Sequence, residues 1–161
     1  QCFWDRMREG RPIIVPGDGS RLMHLVYVYD LAEACILAAS RPEGVGEAFN
    51  VANRAPITQR DLVAALGRAA GIEPTIVPVP RDEIEAAGGE VISGNLYFGV
   101  YFDMPSITEN VGKAERLLGL VPTEFSAGLT ETYESYLENR VDSPIDYSFE
   151  DRLIATARGG D

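Results

Sequence analysis

A chain of 161 residues with 45% hydrophobic content is long enough to bury a core, and its length favours one compact domain. Its 25 acidic residues against 14 basic ones give a net charge of -11 and a pI near 4.5, so the average surface repels phosphate backbones and anionic headgroups. That balance argues against a nucleic-acid partner; no apolar run approaches the ~18 residues of a membrane span, and no signal-like segment opens the chain.

In chain order, CFWDRMRE (2–9) predicts a helix with Phe3 and Met7 on one face, stopped at Gly10. RPIIVPG reads as a short strand. After the GDG turn, HLVYVYD is β-branched and aromatic and predicts a second strand, with Tyr27 and Tyr29 opposite Val28 as core packing. Asp30 reads as the cap of a helix over 31–40, with Glu33 reaching back. Within that helix Cys35 reads as a small buried residue. Cys2 and Cys35 form neither a metal-ligand spacing nor a disulfide framework, which fits a reduced, cytoplasmic setting.

EGVG is a turn, and EAFNVAN predicts a strand near 47–52 with Phe49 and Val51 on one face. Thr58 caps the amphipathic helix QRDLVAALGRAAG, whose stripe is Leu62, Ala65, Leu66 and Ala69. PTIVPVP is extended, RDEIEAAGG a short helix, and VISGNLYFGVYFDMP an aromatic stretch with turn residues inside it. ENVGKAERLLGLVP predicts a helix stopped by Gly119 and Pro122. SAGLTETYESYLENR predicts another, with Leu129, Tyr133, Tyr136 and Leu137 on one face. The polar tail, 141–161, carries a short helix around EDRLIATA and a mobile RGGD end. The order is α/β alternation without an internal repeat.

GDG followed by VYVYDLAEA, FNVAN, the T-x-x-D-L of residues 58–62 and GKAERLLGLVPT, in that order, resembles the C-terminal half of extended short-chain dehydrogenases/reductases, the NAD-dependent epimerase/dehydratase family. The resemblance runs from about residue 1 to 139. GRPI, KA-x-x-x-LG and YSFEDRLI bring it nearest to the branch with the chloroplast stem-loop-binding proteins. It implies the C-terminal part of an extended Rossmann-type fold: last sheet strands plus a small α/β substrate-binding lobe over residues 1–140, then the tail.

That family's Gly-rich phosphate loop has no counterpart here: three residues after Gly19 stands Leu22, and three after Gly46 stands Phe49. Its catalytic pair is a Tyr followed four residues later by a Lys. The sole lysine is Lys113, and Glu109 stands four before it. The resemblance thus implies no catalytic or cofactor-binding residue in this chain. The expectation is that an N-terminal dinucleotide-binding half belongs before Gln1, that NAD or NADP is held by the intact parent and not by this chain alone, and that the chain is silent by itself.

Nucleotide-sugar members carry Arg-Asp-Phe before the Tyr-Val strand, the arginine gripping a diphosphate through its planar fork. Here Met23, His24 and Leu25 stand there. Arg21 lies two residues earlier on Met23's face, and His24, the sole histidine, can donate or accept. With Tyr97 and Tyr101 of the aromatic run, Arg21, Met23 and His24 form the candidate substrate-binding set, for a small and possibly sugar-like molecule. Lys113 reads as a solvated surface residue. Two other readings stand beside this one: an RNA-binding protein of the stem-loop-binding type, opposed by the acidic charge, and a non-enzymatic interaction domain. Severed from a partner half, such a chain would expose an apolar face and self-associate.

Overall fold

The computed structural model describes residues 2–89, 105–141 and 144–159. Helix α1 (Cys2–Arg8) buries Trp4 and Met7, with Phe3 partly buried beside them, and the Trp4 indole N–H donates to the Leu66 carbonyl at 3.0 Å. Gly10, at φ 68°, ends the helix in the left-handed region. Strand β1 (Ile13–Pro16) follows and is buried throughout, as its unbroken apolar run requires.

β1 pairs in parallel with β4 (Ile76–Val79), in register from Ile13↔Ile76 to Pro16↔Val79. A parallel pair needs a crossover, and α3 (Gln59–Ala70) lies in it, burying Leu62, Ala65 and Leu66 as expected and Val63 in addition. Ala69 is only half-buried. Thr58 caps α3 by accepting from the Asp61 N–H at 3.0 Å, and Gly71 closes it at φ 67°. α4 (Arg81–Ala86) seats Ile84 in the same core.

The GDG turn serves α3. Gln59 N–H donates to Arg21 O and Arg60 N–H to Gly19 O, both at 3.0 Å, so two orphan amides of the helix start are satisfied by the turn. A Cβ on Gly19 would lie 3.0 Å from Arg60 Cβ and 3.1 Å from Val15 Cγ2, and Gly19 itself sits at φ 75°. Both facts demand glycine.

Beyond the turn, β2 (Leu22–Met23) pairs antiparallel with β3 (Ile57–Thr58). No part of HLVYVYD, residues 24–30, forms the expected strand: β2 stops at Met23, 24–27 are irregular and the rest is helical. Helix α2 (Val28–Ser40) begins two residues before Asp30, with extended Tyr27 as its N-cap, and the Tyr27 carbonyl accepts from Leu31 N–H at 3.1 Å. Tyr27 and Tyr29 therefore do not share a strand face: Tyr29 is exposed, and Tyr27 meets it edge-on at 5.4 Å. Asp30 lies inside the first turn, and its carboxylate is spent on Thr123 instead of on a cap.

Cys35 is exposed, contrary to the reading as a buried residue. The buried face of α2 is Asp30 and Ala34, and Val28, Leu31 and Ile36 join Cys35 outside. The expected strand near 47–52 joins no ladder among the described residues. Phe49 and Val51 do share a face, packing on Ala34, Ala114, Leu118 and Leu120.

The helix expected over ENVGKAERLLGLVP contracts to a tight stretch with a π-helical segment, Ala114–Leu118, stopped by Gly119 at φ 63°. Lys113 is not merely solvated. Its ammonium donates to Glu47 at 2.5 Å and to the Ala48 carbonyl at 2.9 Å and lies 5.2 Å over the Phe49 ring, binding the 47–49 segment to the π-helical segment.

In α5 (Phe125–Asn139), capped by Glu124, the inward face is Phe125, Gly128, Leu129, Tyr133 and Tyr136, while Leu137 turns out to solvent. α6 (Ser148–Gly159) is longer than the expected short helix. It buries Phe149, Leu153 and Ile154 in the main core, so the segment expected as a polar tail supplies core mass.

Candidate substrate site

An open cavity of about 360 Å³ lies between the 21–26 stretch, which includes β2, and residues 105–109. Leu22 N–H donates to Ser106 Oγ at 3.0 Å, and Ile107 N–H to Leu22 O at 3.3 Å, so 106–107 runs alongside β2 as a wall. Arg21, Met23 and His24 line this cavity with Leu25, Gln59 and Ile107. Arg21 and Met23 both line it, but so do the consecutive residues His24, Leu25 and Val26, and Arg21 precedes β2, so strand alternation is not what gathers them. Tyr97 and Tyr101 lie outside the described residues.

His24 is committed on both ring nitrogens. Nε2 lies 2.6 Å from the Asn53 carbonyl and must carry the proton, while Nδ1 accepts from Glu109 N–H at 2.9 Å. The neutral Nε2–H tautomer is thus the one that satisfies both partners. It clamps the wall segment to the loop after the 47–52 stretch, so the ring acts as a strut here.

Three residues at or beside the cavity carried no sequence signal. Gln59 directly follows a cap, where polar side chains usually face water, yet it is fully buried. Ser106 and Glu109 matter through contacts more than 80 residues distant in sequence, which no local pattern encodes.

A second concavity of about 390 Å³ opens between Asn53, Pro56, Pro122 and Phe125, and a third of about 220 Å³ between Tyr27, Thr123 and Leu129. Tyr27 donates to Glu131 at 2.5 Å, and that bond above all pushes the phenol up to about 12, which keeps it protonated at neutral pH. Lys113 is engaged with Glu47 and the Ala48 carbonyl. Among the described residues no cluster of three His, Cys, Asp or Glu could hold a metal, and no helix is long and apolar enough to cross a membrane.

The model of the NAD dependent epimerase/dehydratase family matches residues 1–52, a span that includes GDG, β2 and α2. The UDP-glucose 4-epimerase of Thermotoga maritima, solved with UDP-glucose, superposes with a TM-score of 0.62 at 26% identity over 85% of this chain and 38% of its own. The chain resembles the NAD-dependent epimerase/dehydratases in sequence and in fold. The UDP-glucose 4-epimerase of Thermus thermophilus, solved with NAD, matches this epimerase-like chain with a TM-score of 0.62 at 23% identity, over 87% of the chain and 40% of its own. The chloroplast stem-loop binding protein of 41 kDa b from Arabidopsis thaliana is 29% identical over 135 residues, which are 83% of this chain and 34% of that protein. The chain therefore spans about a third of the length of that curated relative. Its α/β architecture with a parallel strand pair is that of an extended short-chain dehydrogenase.

Proposed function

We propose that this chain forms the substrate-side part of an NAD-dependent epimerase- or dehydratase-like protein. The observation that carries the reading is the cavity that gathers Arg21, Met23 and His24 under the 105–109 wall, in a chain whose solved relatives include an enzyme with UDP-glucose bound. In such a whole protein NAD would supply hydride transfer, and a Tyr-x-x-x-Lys pair, which this sequence does not contain, would move the proton.

What these residues supply is the shaping of the substrate cavity. Arg21 offers the charged fork, Met23 and Leu25 offer apolar wall, and the His24 strut holds the wall shut. Met23 stands where a guanidinium would grip a diphosphate, so a small, sugar-like substrate with little anionic charge suits the cavity better than a nucleotide sugar. The partner in this reading is a dinucleotide-binding half that covers the apolar face of α2 and takes up the unpaired 47–52 segment.

RNA binding ranks behind. The relative at 29% identity carries stem-loop binding in its name, but a net charge of -11 opposes phosphate.

Calorimetric titration of NADH and NADPH into the 161-residue chain tests the assignment. No heat of binding is expected from either. Tight dinucleotide binding would require a phosphate site made of residues read here as structural, and would overturn it.

A further inference from the structure

Asn53 is 7% exposed, and its backbone is spent: the N–H donates to Leu25 O at 2.8 Å and the carbonyl accepts from His24. Its side-chain amide has no hydrogen-bond partner among the described residues, yet, unlike that of Gln59, it is not sealed from solvent. A nearly buried amide in that state carries a desolvation cost that an apolar side chain of similar size would avoid. Asn53 also lines both the concavity of about 390 Å³ and the one of about 220 Å³, which share Thr123, Glu124 and Phe125 as well. The two are neighbouring lobes of one space, in the size range of small-molecule pockets, ~300–1,000 Å³.

We propose that the Asn53 amide faces the junction of these lobes and holds two adjacent hydroxyls of a neutral, ring-shaped polyol, an unphosphorylated sugar or cyclitol. The hydroxyl donors around the space are already spent: Thr123 on Asp30, Thr132 on the Gly128 carbonyl and Tyr27 on Glu131. Acceptor lone pairs remain, with the carboxylates of Glu124 in the lining and Glu131 beside it, and the Asn53 amide. A ligand must therefore bring hydrogen-bond donors, together with an acceptor for Asn53 Nδ2. Adjacent hydroxyls bring both, one donating to Oδ1 while the other accepts from Nδ2. An anion brings acceptors alone and meets the carboxylates, and the lining cation, Arg54, is held by Glu115 at 3.3 Å. An ammonium leaves Nδ2 unanswered. Pro56, Pro122 and the Phe125 ring offer apolar faces to the C–H side of such a ring. This site is distinct from the cavity beside Met23 and does not depend on the epimerase-like reading.

The test uses the full chain and four ring compounds. Methyl α-glucopyranoside and myo-inositol carry adjacent hydroxyls on a neutral ring, the fully O-methylated glucoside keeps the ring but no donor, and the 6-phosphate of the glucoside adds an anion. The reporter is the ¹H–¹⁵N pair of the Asn53 side-chain amide, assigned by its loss in Asn53→Ala. A neutral polyol is expected to shift that pair saturably, with affinity about tenfold above the O-methylated compound, the equivalent of one lost hydrogen bond, and above the phosphate.

Asn53→Ala is expected to abolish the accompanying shifts at the Leu129 and Thr132 methyls while keeping the far-UV spectrum, since the side chain it removes bonds to nothing. If that variant does not fold, the comparison of the compounds on the unaltered chain still decides. An Asn53 pair unmoved by both polyols, equal affinity for the O-methylated compound, or tighter binding of the phosphate would overturn the proposal. UDP-glucose titrated in parallel, read at the Met23 and Ile107 methyls of the other cavity, separates the two sites. A polyol response at Asn53 with UDP-glucose inert supports the Asn53 site whatever the parent's reaction, whereas UDP-glucose shifts at Met23 and Ile107 with a polyol-insensitive Asn53 pair overturn the Asn53 site and leave the epimerase-like reading standing.

Discussion

The carboxylate of Asp30 accepts both the hydroxyl of Thr123, at 2.6 Å, and its backbone N–H, at 2.9 Å, across 93 residues of sequence. Asp30 is only 4% exposed, and its negative charge lies in the first turn of α2, where the helix dipole favours it. This one side chain joins α2 to the loop that leads into α5. Asp30→Ala leaves both Thr123 donors unanswered and is expected to cost about 2 kcal/mol in urea unfolding. Thr123→Val removes only the hydroxyl bond and keeps the backbone one, so it should cost less, and it should be non-additive with Asp30→Ala, which already removes that bond. Additive losses would show that the two residues act separately.

Thr58 sets the start of α3, whose first residue is the buried Gln59. Its hydroxyl accepts from Asp61 N–H at 3.0 Å. Thr58→Ala is expected to lower stability by about 1 kcal/mol, and Thr58→Ser to restore most of it. Thermal melts of the three proteins measure this, and equal melting temperatures would mean that Gly19 O and Arg21 O hold the helix start without the cap.

Glu150 is buried, and burial raises its carboxyl above the usual carboxylate range, with the Arg6 charge pulling the other way. A carboxyl whose folded value is raised contributes stability that is full below the unfolded value of about 4.3 and is lost as pH rises through the folded value. Glu150→Gln should therefore be more stable than the parent near pH 7, with the gap closing as pH falls toward about 4. Urea midpoints across that window give the answer. A gap independent of pH would show that Glu150 stays neutral throughout.

The exposed face of α2 offers a further check. Ile36 is 67% exposed, with Val28 at 64%. Ile36→Glu should change stability by no more than about 0.5 kcal/mol, since it fills no core site. It should also lower any concentration-dependent self-association seen by sedimentation, because it places a charge within the apolar patch. Unchanged association would place the contact elsewhere on the molecule.

Much of the architecture was legible because its causes are local. The Thr58 cap, the 3.6-residue stripe of α3 and the glycines at 10, 71 and 119 each act within a few residues. The core strand IIVP was readable for a related reason, as an unbroken apolar run is needed only where both faces are buried. Of the candidate set, Arg21, Met23 and His24 line one cavity as near neighbours in the chain, while Tyr97 and Tyr101 lie outside the described residues.

Two of the misreadings involve a partner far along the chain. β-branched and aromatic residues favoured a strand over HLVYVYD, yet α2 starts at Val28 and Asp30, inside its first turn, is held by Thr123. Polarity marked the end of the chain as a tail, but Phe149, Leu153 and Ile154 find a core to enter.

The sequence by itself determined the alternating elements, the acidic surface, the absence of a Tyr-x-x-x-Lys pair and the resemblance to epimerases, all of which depend on residue identity and short spacing. Only the tertiary structure decided that His24 is a strut, that Lys113 binds down the 47–49 segment and that Gln59 is fully buried. Hydrogen bonding and burial are properties of pairs of groups. When the second group lies tens of residues distant, no periodicity announces it.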